Sequence, residues 1–222
     1  MSEKLFIVGV CGPKRSGKST FADRLVERHE FVRVRFAEGL KNMLRALPGV
    51  TEEHTDGALK EEPCDALSGA TPRHVMQVLG TDCMRRLVHP EFWVNAWRAR
   101  VTELVAAGRR RIVVDDVRFP NEARAVHAFG RRQLIVNNTE ARSVVGEIVE
   151  IRREGHDYVP RPSRLRSLAK RCAFGLLDRI LQDGHASEFG LPRALIDCEL
   201  WPAEGLDAVA AAADEFASGR WA

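Results

Sequence analysis

The chain opens on an unbroken apolar run, Leu5-Phe6-Ile7-Val8-Gly9-Val10. It has strand length and lacks the alternation of a half-buried strand, which suits a central parallel strand covered on both faces. A glycine loop follows, and then Lys18 to His29, with Phe21, Ala22, Leu25 and Val26 at helical spacing. Phe31 to Phe36 alternates Phe or Val with Arg and predicts a second strand. Gly39 to Leu47 predicts a short helix stopped by Pro48-Gly49. Residues 48–71 are rich in Gly, Pro, Thr and acids and show no clear period, so they read as a loop.

Thr71-Pro72 is a helix start, with Thr as N-cap and Pro in the first turn. A helix from Pro72 to about Val88 is expected, then a second from Glu91 to Ala107 stopped by Gly108. Arg111 to Val117 contains Ile112-Val113-Val114 and ends in Asp115-Asp116, a third buried strand with charges at its carboxyl end. Pro120 to Phe129 predicts a helix ended by Gly130. Gln133–Val136 and Glu147–Ile151 are both strand-like, and their order stays open. Residues 153–190 are basic and partly helical in pattern; Leu195–Leu200 and Ala203–Phe216 predict a last strand and a final helix. Strands alternating with helices argue an α/β doubly wound parallel sheet.

Length and charge narrow the class. The 222 residues suit one domain, or one with a lid. With 45% hydrophobic and 29% charged residues, a wholly disordered chain, a collagen and a coiled-coil rod are excluded. The net charge of +3 is too small to mark a nucleic-acid binder. Its distribution is uneven: Arg152 to Arg171 holds seven basic and two acidic residues. Five cysteines form no CxxC pair and no zinc pattern with the histidines, which suits thiols in a reducing cytoplasm. No apolar run approaches the roughly 18 residues of a membrane span, and the first apolar run leads into a charged loop without a cleavage site. A cytoplasmic protein without membrane partners is expected.

The loop Gly12-Pro13-Lys14-Arg15-Ser16-Gly17-Lys18-Ser19 fits G-x-x-x-x-G-K-[ST] at every fixed position. Glycines let the backbone curl so that its N–H groups point at phosphate oxygens, and the following helix adds its positive end. Lys18 places a charge on the β- and γ-phosphates, and the Ser19 hydroxyl is a ligand for Mg²⁺. The bland alternative is a glycine turn before a helix; the strand in front and the amphipathic helix behind favour the phosphate loop. A regulatory GTPase would carry N-K-x-D after a late strand, and Asn137-Asn138-Thr139-Glu140 lacks the Lys and the Asp. A small-molecule kinase fits the length best.

Between residues 71 and 85, Arg73, Gln77, Thr81 and Arg85 fall four apart and form a slowly drifting polar stripe. Such a stripe is a solvated face or a row of donors toward an acceptor nucleotide, since Gln can pair with a base edge and Arg can fork onto a phosphate. Trp93 and Trp97, also four apart, suit a core face.

Several blocks together resemble the bacteriophage deoxynucleoside monophosphate kinases. Beyond the loop they are Phe36-Ala37-Glu38-Gly39-Leu40-Lys41, Lys60-Glu61-Glu62-Pro63, Thr71-Pro72-Arg73, Met76-Gln77-Val78-Leu79-Gly80-Thr81-Asp82, Phe92-Trp93-Val94, Asp116-Val117-Arg118-Phe119-Pro120-Asn121-Glu122-Ala123 and His185-Ala186-Ser187-Glu188. The resemblance covers about residues 5–130 well and 185–215 loosely. It implies a P-loop kinase with a core at 1–37, 109–151 and 191–222, an acceptor-binding helical insert at 38–108 and a basic lid at 152–190. It implies transfer of the γ-phosphoryl of ATP to a deoxynucleoside monophosphate, with Mg²⁺. Two departures stand out: residues 131–170 are longer and more basic than the family's short lid, and Leu200-Trp201-Pro202-Ala203-Glu204-Gly205 replaces the family's Asn-Asp-Gly turn near the adenine.

On this reading Gly12, Lys14, Arg15, Ser16, Gly17, Lys18, Ser19 and Thr20 hold the donor phosphates. Ser19 and Asp116 serve the metal, Asp116 otherwise forming a salt bridge with Arg118. Phe36, Lys41, Lys60, Arg73, Gln77, Thr81, Arg85, Trp93 and Arg118 face the acceptor. Lys18, Arg15, Asp116, Arg118 and a lid arginine, Arg152 or Arg153, act on the transferring group. His185 and Glu188 order the return from the lid or form a local helix pair. The competing acceptor is a modified base such as 5-hydroxymethyluracil within DNA, with the basic 152–171 segment along the backbone; Tyr158 is its single aromatic, too few for a stacking platform. The nucleotide base and a homodimer stay open.

Overall fold

The structure, a computed structural model, describes residues 5–131, 135–136, 139–140, 144–152, 190–202 and 205–221. Strand β1 (Leu5–Cys11) leads through the glycine loop into helix α1 (Lys18–His29) and the short strand β2 (Val32–Arg33). Helices α2 (Glu38–Arg45), α3 (Glu52–Thr55), α4 (Pro72–Gln77), a π-helix (Val78–Val88) and α5 (Phe92–Ala106) come before β3 (Arg111–Val114). Then follow α6 (Pro120–Arg131), β4 (Ile135–Val136), β5 (Thr139–Glu140), β6 (Val144–Ile151), β7 (Cys198–Leu200) and α7 (Leu206–Trp221).

Five strands form one sheet in the order β2-β3-β1-β6-β7, and every neighbouring pair is parallel. β1 lies at its centre, with Ile7 opposite Ile112 on one side and Gly146 on the other. Both of its faces are covered, which is why its sequence is a continuous apolar run. Leu5 and Ile7 pack with Val94, Trp97 and Val101 of α5 and Val126 of α6. Val8 and Val10 pack with Phe21 and Leu25 of α1 and Val209 and Ala213 of α7 on the other face. A satellite core of Leu40, Leu44, Val50, Met76 and Trp93 holds the helices between β2 and β3.

The doubly wound parallel sheet agrees with the sequence reading, and most differences are local. The second strand is shorter than expected. Val34 N–H still donates to Val113 O at 2.9 Å, but the amides of Phe36 and Ala37 turn away to the Asp116 carboxylate. Residues 48–71 hold α3 and two 3₁₀ turns, Ala58–Glu61 and Asp65–Leu67. Thr51 caps α3, with His54 in the capping-box position usually filled by Glu or Gln, and the helix lasts a single turn, too short to show a period. The expected helix over 72–88 is α-helical only to Gln77 and widens to a π-helix beyond. β4 falls within the strand-like stretch Gln133–Val136, but it pairs antiparallel with β5 outside the five-stranded sheet. Among the described residues no helix is long and apolar enough to cross a membrane. The basic segment beyond Arg152, including Arg153, Tyr158, His185 and Glu188, lies outside the described residues.

Phe21 is wholly buried and its ring meets that of Phe216 at 5.8 Å, joining α1 to α7. Phe21→Ala should lower unfolding free energy by about 3–5 kcal/mol, as read by urea denaturation.

Candidate active site

In open parallel sheets ligands bind beyond the carboxyl ends of the strands, where the connections diverge to the two faces. Here that place is a cleft of about 790 Å³ bounded by the glycine loop, the ends of β2 and β3 and the helical insert.

The loop has a strained backbone. Gly12 has φ +143°, and a Cβ there would lie 2.4 Å from the carbonyl oxygen of Ile151. Gly17 has φ +96° and caps α1 without a side-chain hydrogen bond, so the first amides of the helix open without a side-chain cap. Arg15, though not a glycine, sits at φ +65°, a conformation that persists only where its surroundings impose it. Ser16 is fully buried and its hydroxyl has no hydrogen-bond partner among the described residues. Lys18 donates to Pro13 O at 2.6 Å. Burial, helped by the charge of Arg118, pulls the Lys18 ammonium down to about 8 against the opposing pull of Cys11 and Asp115. Gly12, Lys14, Arg15, Lys18 and Ser19 line the cleft; Ser16, Gly17 and Thr20 stand behind them in the loop and first turn.

Two adjacent carboxylates end β3. Asp115 accepts a fork from Arg35, Nε at 2.7 Å and Nη2 at 2.9 Å, and this guanidinium holds its carboxyl low despite burial. Asp116 accepts the backbone N–H of Phe36 at 3.0 Å and of Ala37 at 2.9 Å. No ion pair joins it to Arg118 among the described residues; each oxygen holds one amide, which leaves each a further lone pair, and the residue lines the cleft. Burial, then the neighbouring Asp115 charge, pushes its carboxyl up.

The insert supplies the other wall. Lys41 pairs with Asp56, which also lies 3.5 Å from Arg35. Arg73 donates to Glu61 at 3.0 Å, and Lys14 stands 3.8 Å from the same carboxylate. Lys60 has no ion-pair partner among the described residues. Burial, then the charge of Lys41, with Arg118 and Arg73 adding to it, pulls Lys60 down to about 8. Arg73, Gln77, Thr81 and Arg85 all line the cleft, so the stripe faces a cavity rather than bulk water. Phe36 and Trp93 reach the cleft but are buried: Phe36 stacks on Trp97 at 4.8 Å, and Trp93 Nε1 donates to Gly80 O at 2.8 Å.

Arg85 differs from expectation. Its guanidinium is turned into the protein, paired with Glu122 and laid over the Phe119 ring at 4.1 Å. Arg118, the other arginine of this corner, makes no side-chain hydrogen bond or ion pair among the described residues. Its charge lowers both Lys18 on the loop and Lys60 on the insert. Arg152 is not among the residues that line this cleft; it donates to Glu150 at 2.6 Å and lies 5.6 Å from the Trp201 ring. Arg35, Asp56, Glu61, Asp115 and Glu122 line the cleft without having been singled out from sequence. For Asp115 and Glu122 the signal was present, one beside Asp116 and one inside the Asp-Val-Arg-Phe-Pro-Asn-Glu-Ala block.

Residues 59–151 match the model of the deoxynucleotide monophosphate kinase family. A protein of Acanthamoeba polyphaga mimivirus, named as a candidate deoxynucleotide monophosphate kinase, is 32% identical over 136 residues, covering 57% of this chain and 70% of its own. Among solved structures the chain is similar to TT1252 of Thermus thermophilus (TM-score 0.45, 15% identity, 99% of this chain and 100% of that one). It is also similar to shikimate kinase of Acinetobacter baumannii (TM-score 0.38, 11% identity, 100% and 97%). Fold, cleft and sequence kinship together define an α/β kinase, a phosphotransferase. The chain belongs to the deoxynucleotide monophosphate kinase family. The mimivirus relative is a viral protein but not one of a phage.

Lys18 and Lys60 sit near 8 in the folded chain against 10.5 for a free lysine. The unfolded chain therefore binds more protons between those values, and stability rises with pH across that window. Lys60→Met removes one buried, repelled cation. It should raise the melting temperature at pH 7 by roughly 2–4 °C and flatten the rise toward pH 10, as read by calorimetry.

Proposed function

We propose that the cleft transfers the γ-phosphoryl group of ATP to the phosphate of a deoxynucleoside monophosphate, giving the diphosphate. The observation that carries this reading is the position of Arg118. It lines the cleft together with Lys18 and Lys60, has no ion-pair partner among the described residues, and its charge bears on both lysines. A cleft whose cations repel one another favours a polyanion that reaches both walls, and two nucleotides meeting at their phosphates are such a ligand.

The loop suits the donor. Gly12 leaves room where a side chain would collide, the Ser16 hydroxyl lacks a partner, and α1 presents an uncapped amino end. Lys18 would leave Pro13 O for the β- and γ-oxygens, with Lys14 and Arg15 at the rim. Ser19 and the open lone pairs of Asp116 fit a magnesium ion, which when bound would neutralise charge across those oxygens. On the other wall Lys41, Lys60 and Arg73 would receive the acceptor phosphate, and Gln77 and Thr81 would meet its nucleoside.

An acceptor oxygen attacks the γ-phosphorus in line, the bond to the β-phosphate oxygen breaks, and ADP leaves. The second pKa of the acceptor phosphate is about 6, so it arrives largely as a dianion and needs no strong base. The residues therefore act by positioning and by charge neutralisation, with Arg118 at the join of the two phosphates.

Labelled ATP offered beside the four deoxynucleoside monophosphates and beside duplex DNA with and without 5-hydroxymethyluracil should label only diphosphates. Label in DNA overturns the reading in favour of a DNA-modifying kinase. Lys18→Ala should lower kcat by roughly 10²–10³-fold in a folded protein. The kcat/KM should fall above about pH 8, where Lys18 and Lys60 of the free protein lose their charge.

A further inference from the structure

Glu122 is 3% exposed and lies in the first turn of α6. Its Oε2 accepts two consecutive backbone amides, Arg118 N–H at 2.7 Å and Phe119 N–H at 3.0 Å. Its Oε1 faces the Arg85 guanidinium. The same guanidinium lies over the Phe119 ring and reaches Asn121 Oδ1 at 3.4 Å. These contacts close a ring: carboxylate, turn, aromatic face, guanidinium and back. Two amides held by one oxygen fix both peptide planes beside Arg118, and so fix the direction in which its side chain leaves the backbone. Nothing comparable holds the side chain itself among the described residues.

We propose that Glu122 is a positioning residue for phosphoryl transfer, aiming Arg118 at the join of the two nucleotides through its backbone. Arg85, in this arrangement, is the counter-charge that keeps Glu122 in place rather than a group that grips the acceptor. The inference rests on the role given to Arg118 above.

A buried carboxylate can also serve stability alone, and the test separates the two roles. Glu122→Gln keeps the shape and an acceptor oxygen for the amides but drops the charge facing Arg85. Kinetics are measured for it, for Arg118→Ala and for the double variant, with ATP and the deoxynucleoside monophosphate that the unmodified protein turns over fastest. Glu122→Gln should lower kcat/KM for the acceptor by about tenfold or more while the KM for ATP moves less than about twofold. In the Arg118→Ala background the same change should cost less than about threefold, because the residue it aims is gone. A full tenfold loss in that background, or an equal effect on the KM for ATP, overturns the inference and leaves the proposed function standing. Arg118→Ala with undiminished turnover overturns both. Should Glu122→Gln fail to fold, Glu122→Asp keeps the charge but cannot reach Arg85 and the amides together. It should show the same dependence on Arg118.

Discussion

The site depends on the two carboxylates that end β3. They lie at the carboxyl edge of the sheet, beside the strand that feeds the glycine loop. Asp116 takes the amides of Phe36 and Ala37, which ends β2 and directs the chain into α2. Asp115 takes the fork of Arg35, and Arg35 in turn stands beside Asp56 of the insert. One pair of neighbouring acids thus ties the edge strand and the start of the helical segment to one point of the sheet. Buried carboxylates are costly unless they are paired or hydrogen-bonded, and here nearly every oxygen is engaged. The corner is rigid for that reason.

The cations around this corner are less well matched. Lys41 has Asp56 and Arg73 has Glu61, but Lys18, Lys60 and Arg118 line the same cleft without an ion-pair partner among the described residues. Half-burial of the two lysines beside like charges destabilises the folded protein, while Arg118 is exposed at the cleft surface. A neutral cleft of the same shape would fold more firmly.

The sequence disclosed the elements that announce themselves locally. β1, α1, α5 and α6 have clear periodicity and stop signals, and their bounds fall within a few residues of expectation. The segment 48–71 did not, because its elements last a single turn and one is capped by an unusual residue. The cations were legible as types in a known order. Their partners were not: Arg35 and Asp115 are eighty positions apart, and Arg85 and Glu122 thirty-seven. Hence Arg85 was expected at the acceptor while Arg35 and Glu122 went unnoticed. Asp116 shows the same limit, because two backbone amides as its partners leave no mark in composition or spacing.

The π-helix explains how a four-residue spacing serves one wall. In an α-helix four residues overshoot a full turn, so Arg73, Gln77, Thr81 and Arg85 would drift steadily around the axis. In the wider i→i+5 turn four residues fall short of a full turn, and the drift reverses. The α-to-π change at Gln77 thus brings the later residues back to the face shared by the earlier ones, and all four line the cleft. Poorer hydrogen-bond geometry must be offset from outside the helix. Trp93 does so at the start of the segment by donating to Gly80 O, and Glu122 does so near its end by holding Arg85. The acid that fixes the turn at Arg118 therefore also anchors the helix that lines the other side of the cleft, and one buried carboxylate joins the two sides.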